Sequence, residues 1–305
     1  MTFLRFGIYM ALASLAVDAH YHVVSASGRM HKRNAFKSGH RDDHAKVASR
    51  KQFRQKSMSP ERLVQGSALD TYPLVLHQSW KNESLPANFR LWSDECKRIH
   101  AKWNHRLWTD EDNRALVAKY VPTLLPVYDG YDVNIKRADA ARYVYMYVFG
   151  GVYIDLDVLC LKKFENIFAA GLGRPVFAYE VNKGSNRQPS IANAFMMAPP
   201  RHMLFASIIS ALHDATDNPV FQATGPAFLT NFLHVRGWVT SDQALVLDSE
   251  VVYGNQAGWY EWHMGAHPCG AANAKDVATC AAKLPNAIAT TFWTGSWKSK
   301  EWLTP

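Results

Sequence analysis

Asp139-Ala140-Ala141-Arg142-Tyr143 and, shortly after, Gly150-Gly151-Val152-Tyr153-Ile154-Asp155-Leu156-Asp157 form the stretch that decides how this chain is read. Residues 134–149 suit a helix stopped by the glycine pair. On that helix Asp139, Arg142, Tyr143 and Met146 share one face, because residues three and four apart are neighbours. Val152-Tyr153-Ile154 reads as a short buried strand that delivers Asp155. In an extended segment Asp155 and Asp157 project to the same side, since the side-chain period is two. Two carboxylates at the exit of a buried strand make a hard oxygen site suited to Mg²⁺ or Mn²⁺. Such an ion neutralises a diphosphate and stabilises it as a leaving group.

Working outward, strands and helices alternate. Leu74-Val75-Leu76-His77-Gln78 reads as a buried strand ending in Ser79-Trp80, and Pro86 opens a helix reaching towards His100. Asn104-His105-Arg106-Leu107-Trp108 is a second strand. Thr109 suits the N-cap of the next helix, with Asp110, Glu111 and Asp112 in a first turn that favours carboxylates. The alternation predicts an α/β fold with a mainly parallel central sheet flanked by helices. In such sheets ligands bind beyond the strand ends, which draws attention to Gln78 and Trp80. Trp80 is read either as a neighbour of a nucleotide base or as a core residue.

The net charge of +8 invites a nucleic-acid reading, but eleven Lys/Arg against three Asp/Glu lie in residues 29–62 and account for the whole excess. The rest of the chain is balanced, so nucleic acid is not an expected partner. Residues 3–19 are apolar. A cleaved signal peptide and an uncleaved signal anchor both fit residues 1–19, with membrane anchoring through residues 3–19 in the second case. Residues 20–66 are polar and basic, too poor in large apolar side chains to join a core, and read as a disordered stem or linker. The expected folded domain is 70–305. The expected location is the secretory pathway, either secreted or in the Golgi lumen as a type II membrane protein.

Cysteine usage fits an oxidising compartment. Cys269 and Cys280 suit a small disulfide loop, whereas Cys96 and Cys160 lie in regular elements and read as buried thiols. No Cys-x-x-Cys pair exists, which argues against structural zinc.

The constellation resembles glycosyltransferase family 32, the group with an Asp-x-Asp sugar-binding region, and is similar to its initiation-type α-1,6-mannosyltransferases. The same arrangement occurs in the large clostridial glucosylating toxins. The resemblance runs from about Pro73 to Trp297. It takes in Leu76-His77-Gln78-Ser79-Trp80-Lys81, Trp103 to Asp110, Ser190 to Ala198, Thr224-Gly225-Pro226 and Gly295-Ser296-Trp297-Lys298. It implies a GT-A-like fold, a nucleotide-sugar donor (GDP-mannose favoured), retention of anomeric configuration, Mn²⁺ or Mg²⁺, and a glycan, glycoprotein or glycolipid acceptor.

Carried over by resemblance, Asp139 and Arg142 touch the donor sugar and ribose. Asp155 contacts the ribose or sugar, and Asp157 holds the metal and diphosphate. Ser296 and Trp297 close over the phosphates. Gln78, Trp80 and Tyr143 complete the donor side; Asn193, Thr224 and Gly225 stand on the acceptor side. Relatives often carry a His pair before Gly-Ser-Trp, where this chain has Thr290-Thr291-Phe292-Trp293; His263 and His267 are the candidate substitutes. Asp242 is read as shaping the acceptor pocket or capping an element.

Other readings are a non-catalytic nucleotide-sugar or carbohydrate-binding protein on the same fold, and a secreted effector glucosyltransferase or N-acetylglucosaminyltransferase. A metallohydrolase is disfavoured by the absence of its usual His-rich ligand set.

Overall fold

The computed structural model describes residues 71–180, 189–254, 269 and 277–296. The expectations for residues 1–19 and 20–66, and for Trp297, His263 and His267, lie outside the described residues.

Six strands form the central sheet: β1 (Val75–Ser79), β2 (Asn104–Trp108), β3 (Gly151–Ile154), β5 (Val176–Tyr179), β6 (Ile191–Ala198) and β7 (Leu245–Leu247). Their order is β2-β1-β3-β6-β5-β7. β1 is parallel to β2 and β3, and β5 to β7, while β6 runs antiparallel to both neighbours. The mainly parallel α/β sheet with flanking helices, expected of the GT-A-like class, is the architecture observed. A two-stranded ribbon pairs β4 (Val158–Cys160) with β8 (Ala289–Thr291).

The sheet is covered on both faces. On β3, Tyr153 enters one hydrophobic cluster while Val152 and Ile154 enter the other, and β5 divides likewise. That is the period-two alternation of a strand buried on both sides. The central helix, α4 (Asn134–Phe149), is buried on most of its circumference. It is preceded by α1 (Ala87–Ile99), α2 (Asp110–Tyr120) and a short α3 (Leu125–Gly130). Thr109 caps α2: its hydroxyl accepts from the Asp112 N–H at 3.1 Å, and the Asp112 carboxylate accepts from the Thr109 N–H at 3.0 Å. This is a reciprocal capping box.

Gly150 and Gly151 make the reversal from α4 into β3 at φ +62° and +89°. A Cβ on Gly150 would stand 2.5 Å from the Pro200 nitrogen, and one on Gly151 2.5 Å from the Val75 carbonyl oxygen. Both positions therefore exclude a side chain on conformational and steric grounds. The turn is fastened from β1: His77 Nε2 lies 2.9 Å from the Gly150 carbonyl oxygen, and the Trp108 indole donates to His77 Nδ1 at 3.0 Å. With Nδ1 accepting, Nε2 carries the proton and donates to Gly150. Burial pushes the His77 pKa down to about 4.

Two disulfides are formed. Cys269–Cys280 is as expected, whereas Cys96–Cys160 corrects the reading of those residues as free buried thiols. The second ties α1 to the strand that directly follows the Asp-x-Asp motif. Its partners are 64 residues apart, so no sequence spacing announced the pair.

Candidate active site

Ser79-Trp80, Asp155 and Glu180 follow the carboxyl ends of three co-directional strands, β1, β3 and β5. Ligands of open α/β sheets bind at that edge. A cleft of about 730 Å³ opens there, bordered by Trp80, Asp139, Arg142, Asp155, Asp157 and Asn193. Its volume is in the range of ordinary small-molecule and cofactor sites.

The cleft's polar wall is built on α4. Asp139 is 4 % exposed and Arg142 5 %. The Arg142 fork spans three partners: Asp139 at 2.9 Å, Asp155 at 3.2 Å and the Asn193 carbonyl oxygen at 3.0 Å. Its guanidinium lies 4.7 Å from the centre of the Tyr153 ring. Burial works against its charge, but Tyr153, Asp155 and Asp139 hold its pKa well above the usual arginine value. Asp139 also accepts from the Asn193 amide and from the Thr224 hydroxyl, each at 3.1 Å. Burial pushes the Asp139 carboxyl up, and Arg142 opposes that shift. A helix-surface ion pair is thereby excluded: the pair is internal and joins α4, β3 and β6.

The Asp-x-Asp segment is not extended, which corrects the sequence reading. β3 stops at Ile154, and Asp155-Leu156-Asp157 turns into β4, with the Val158 N–H donating to the Asp155 carbonyl oxygen at 3.1 Å. The two carboxylates meet at the cleft because of that turn, not because of strand alternation. Asp155 Oδ1 takes the Tyr153 hydroxyl and Arg142. Asp157 Oδ2 takes the Thr294 N–H at 2.8 Å and the Thr294 hydroxyl at 3.0 Å. Burial and the charge of Asp155 push the Asp157 pKa up to about 6, against the Thr294 hydrogen bonds.

Asp155 Oδ2 and Asp157 Oδ1 have no hydrogen-bond partner among the described residues. One such carboxylate oxygen on each aspartate of the motif fits a hard dication. Among the described residues no third His, Cys, Asp or Glu completes a protein cage. That donor set suits an ion held by one or two carboxylates, with the rest of its shell supplied by phosphates and water.

Trp80 and Ser296 also border the cleft, Trp80 packing edge-on against Phe89. Gln78 does not: it is buried behind β1, and its Oε1 accepts from Ser93 at 2.7 Å. Its side chain serves the contact between β1 and α1. Tyr143 and Thr224 are fully buried behind the wall, the Tyr143 hydroxyl donating to the Thr224 carbonyl oxygen at 2.7 Å. Gly225 is likewise behind the wall, at the N-cap of the helix Pro226–Val235. Asp242 faces away, exposed and paired with Arg174. Sequence reasoning missed Thr294, Tyr153 and Glu180. Tyr153 had a signal, two residues before Asp155; the other two are brought in by the fold alone.

Residues 86–171, which run from the start of α1 through the Asp-x-Asp turn and β4, match the family described as glycosyltransferase sugar-binding region containing DXD motif. The similarity over these residues is to a DXD sugar-binding region of glycosyltransferases. The DXD region here contains Asp139, Arg142, Asp155 and Asp157, all on the cleft.

The chain is 33% identical over 140 residues to inositol phosphoceramide mannosyltransferase 2 of Schizosaccharomyces pombe, covering 46% of this chain and 38% of that protein. It is 28% identical over 196 residues to inositol phosphoceramide mannosyltransferase 1 of the same yeast, covering 61% and 59%. With the mannosyl phosphorylinositol ceramide synthase SUR1 of Saccharomyces cerevisiae it shares 29% over 164 residues, 52% and 41%. The chain thus spans roughly two fifths to three fifths of these relatives. Among solved structures, the PaToxG glycosyltransferase aligns at TM-score 0.40 and 15% identity, covering 56% of this chain and 72% of that one.

Proposed function

We propose that the DXD region works as a metal-dependent retaining hexosyltransferase that takes a nucleotide sugar at Asp155-x-Asp157, with GDP-mannose as the favoured donor. The observation that carries this reading is the pair of free carboxylate oxygens beside the Arg142 fork, at the strand-end edge of a cleft large enough for the donor. The mannosyltransferase names of the relatives support the choice of mannose, and a glycan or glycolipid is the acceptor class. Asp155 and Asp157 would hold Mn²⁺ or Mg²⁺, which would supply Lewis-acid stabilisation of the leaving diphosphate.

The chain's own residues do the rest. Arg142, held charged and immobile by three partners, presents its remaining surface to the developing negative charge without reorganising, which is electrostatic catalysis. Its Nε is buried with no partner among the described residues. Asp139 accepts from Arg142, Asn193 and Thr224 and keeps spare acceptor capacity for a donor-sugar hydroxyl. Thr294 fixes the Asp157 rotamer, so that Oδ1 points free. Trp80 offers a ring to the nucleotide base, and Ser296 lies where the phosphates pass.

Retention by double displacement would need a carboxylate close to the anomeric carbon. Asp139, Asp155 and Asp157 are committed to Arg142 and the ion. We therefore favour front-face substitution: the acceptor oxygen bonds to the anomeric carbon as the bond to phosphate breaks on the same face, and the acceptor proton passes to the leaving phosphate oxygen. The test is a panel of nucleotide sugars scored for hydrolysis and transfer, then NMR of the new linkage. An α-linked product from an α-linked donor is expected. A β-linked product contradicts retention, and no turnover of any donor favours a binding protein instead.

A further inference from the structure

Among the described residues, Glu180 is the one carboxylate on the cleft beyond Asp110 and the Asp139–Asp155–Asp157 group. It follows β5, and its backbone N–H donates to the Ser190 carbonyl oxygen at 2.8 Å. Asp155 follows β3, and its N–H donates to the Ala194 carbonyl oxygen at 3.0 Å. Both residues flank the same strand, β6. They are separated by two strand spacings, about 9.6 Å, and by four residues along β6, about 13 Å. The diagonal is about 16 Å from backbone to backbone. Paired carboxyls of retaining glycosidases stand about 5–5.5 Å apart. Glu180 is therefore badly placed to attack an anomeric carbon held at the Asp155–Asp157 pair. It stands instead further along the same cleft.

A second feature points to a ligand at this corner. The Tyr253 side chain is fully buried, its hydroxyl has no partner among the described residues, and it lies in the electrostatic field of Asp155, Glu180 and Asp157. A buried hydroxyl left unpaired costs free energy unless a bound molecule satisfies it. Ser190, whose carbonyl oxygen accepts from the Glu180 N–H, shares the cleft wall with it. The Glu180 carboxylate and Ser190 on the cleft wall, with the Tyr253 hydroxyl buried behind it, form a polar set matched to a ring with several hydroxyls.

Resting on the glycosyltransferase reading above, we propose that Glu180 binds the acceptor by accepting hydrogen bonds from neighbouring hydroxyls of a polyol ring, cyclitol or pyranose, so that another hydroxyl of that ring faces the donor. An ionised carboxylate is acceptor-only, which selects hydroxyl donors and repels an acceptor presenting an anion at that point.

The test uses the full chain with the donor it turns over best, and with myo-inositol and methyl α-mannopyranoside as separate soluble acceptors. Losing a hydrogen bond to a charged group costs about 1.5–3 kcal/mol, or roughly ten- to a hundredfold. Glu180→Gln is expected to raise the KM for one of the two polyols by at least that lower factor. The ratio of transfer to donor hydrolysis should fall with it, while the donor KM moves far less. Which polyol responds tells cyclitol from pyranose. Should Glu180→Gln lose its cooperative thermal transition, Ser190→Ala carries the same expectation at a smaller factor. An unchanged acceptor KM, a parallel fall in transfer and hydrolysis, or wild-type transfer to neither polyol overturns the assignment while leaving the donor reading intact. Absence of donor hydrolysis in the wild type overturns both.

Discussion

Thr294 gives both its backbone N–H and its hydroxyl to a single oxygen of Asp157, at 2.8 and 3.0 Å. The two residues are 137 positions apart. β8 brings them together by pairing with β4, and the Phe292 N–H reinforces the contact by donating to the Asp157 carbonyl oxygen at 2.9 Å. The chain thus orients a DXD carboxylate with a threonine just beyond β8.

Thr294→Val keeps the shape and the backbone bond but removes the hydroxyl. Groups that orient metal ligands are typically worth ten- to a hundredfold in metal affinity. The variant is expected to need about tenfold more Mn²⁺ for half-maximal donor hydrolysis, with little change in melting temperature. An unaltered Mn²⁺ requirement would show that Thr294 is packing only.

Arg142→Lys keeps the charge and loses the fork. An ammonium cannot span Asp139, Asp155 and the Asn193 carbonyl together. Donor turnover is expected to fall by about two orders of magnitude or more, the scale of losing one preorganised electrostatic donor. Steady-state kinetics on the folded variant decide it; near wild-type kcat/KM would remove Arg142 from the chemistry.

His77 couples stability to pH. Its pKa falls from the ordinary 6.5 to about 4 on folding because burial disfavours the cation. The unfolded chain therefore binds the extra proton between those values. The stabilisation is complete above pH 6.5 and is lost progressively as pH falls towards 4, in total about 3 kcal/mol. His100, also lowered to about 4 by burial, acts in the same direction. His77→Gln should flatten, not abolish, the slope of unfolding free energy against pH in that window. An identical slope in the variant would contradict the buried neutral imidazole.

The Cys96–Cys160 bridge closes a 64-residue separation across the DXD region. Chain entropy gives such a crosslink about 4 kcal/mol. The double variant Cys96→Ala/Cys160→Ala should lose stability on that scale in denaturant titrations and bind nucleotide more weakly, because β4 starts one residue after Asp157. A double variant as stable as the wild type would contradict the bridge.

Much of this was readable locally. The helix 134–149, the glycine break, the strand 152–154 and the Thr109 cap each follow from periodicity, φ > 0 or capping chemistry within a few residues. What escaped reading depends on long-range packing. Asp155 and Asp157 were placed by strand alternation, yet they converge because the chain turns between β3 and β4. Gln78 sits in a motif beside Trp80, but its side chain is taken up by Ser93 of α1 and does not border the cleft. Glu180 lies in no motif; only the strand order β3-β6-β5 brings it to the same edge as Asp155. The Cys96–Cys160 pair likewise had no local sign.

The central claim is that Asp155 and Asp157 hold a dication that recruits a nucleotide diphosphate. Calorimetric titration of GDP and UDP into the wild type and into Asp157→Asn, each with Mn²⁺ and with chelator, tests it most directly. A neutral amide is a poor ligand for a hard ion. The account predicts nucleotide binding by the wild type that is lost on chelation, and none of that metal-dependent binding in Asp157→Asn. Equal nucleotide affinity in both proteins, with or without Mn²⁺, would contradict it.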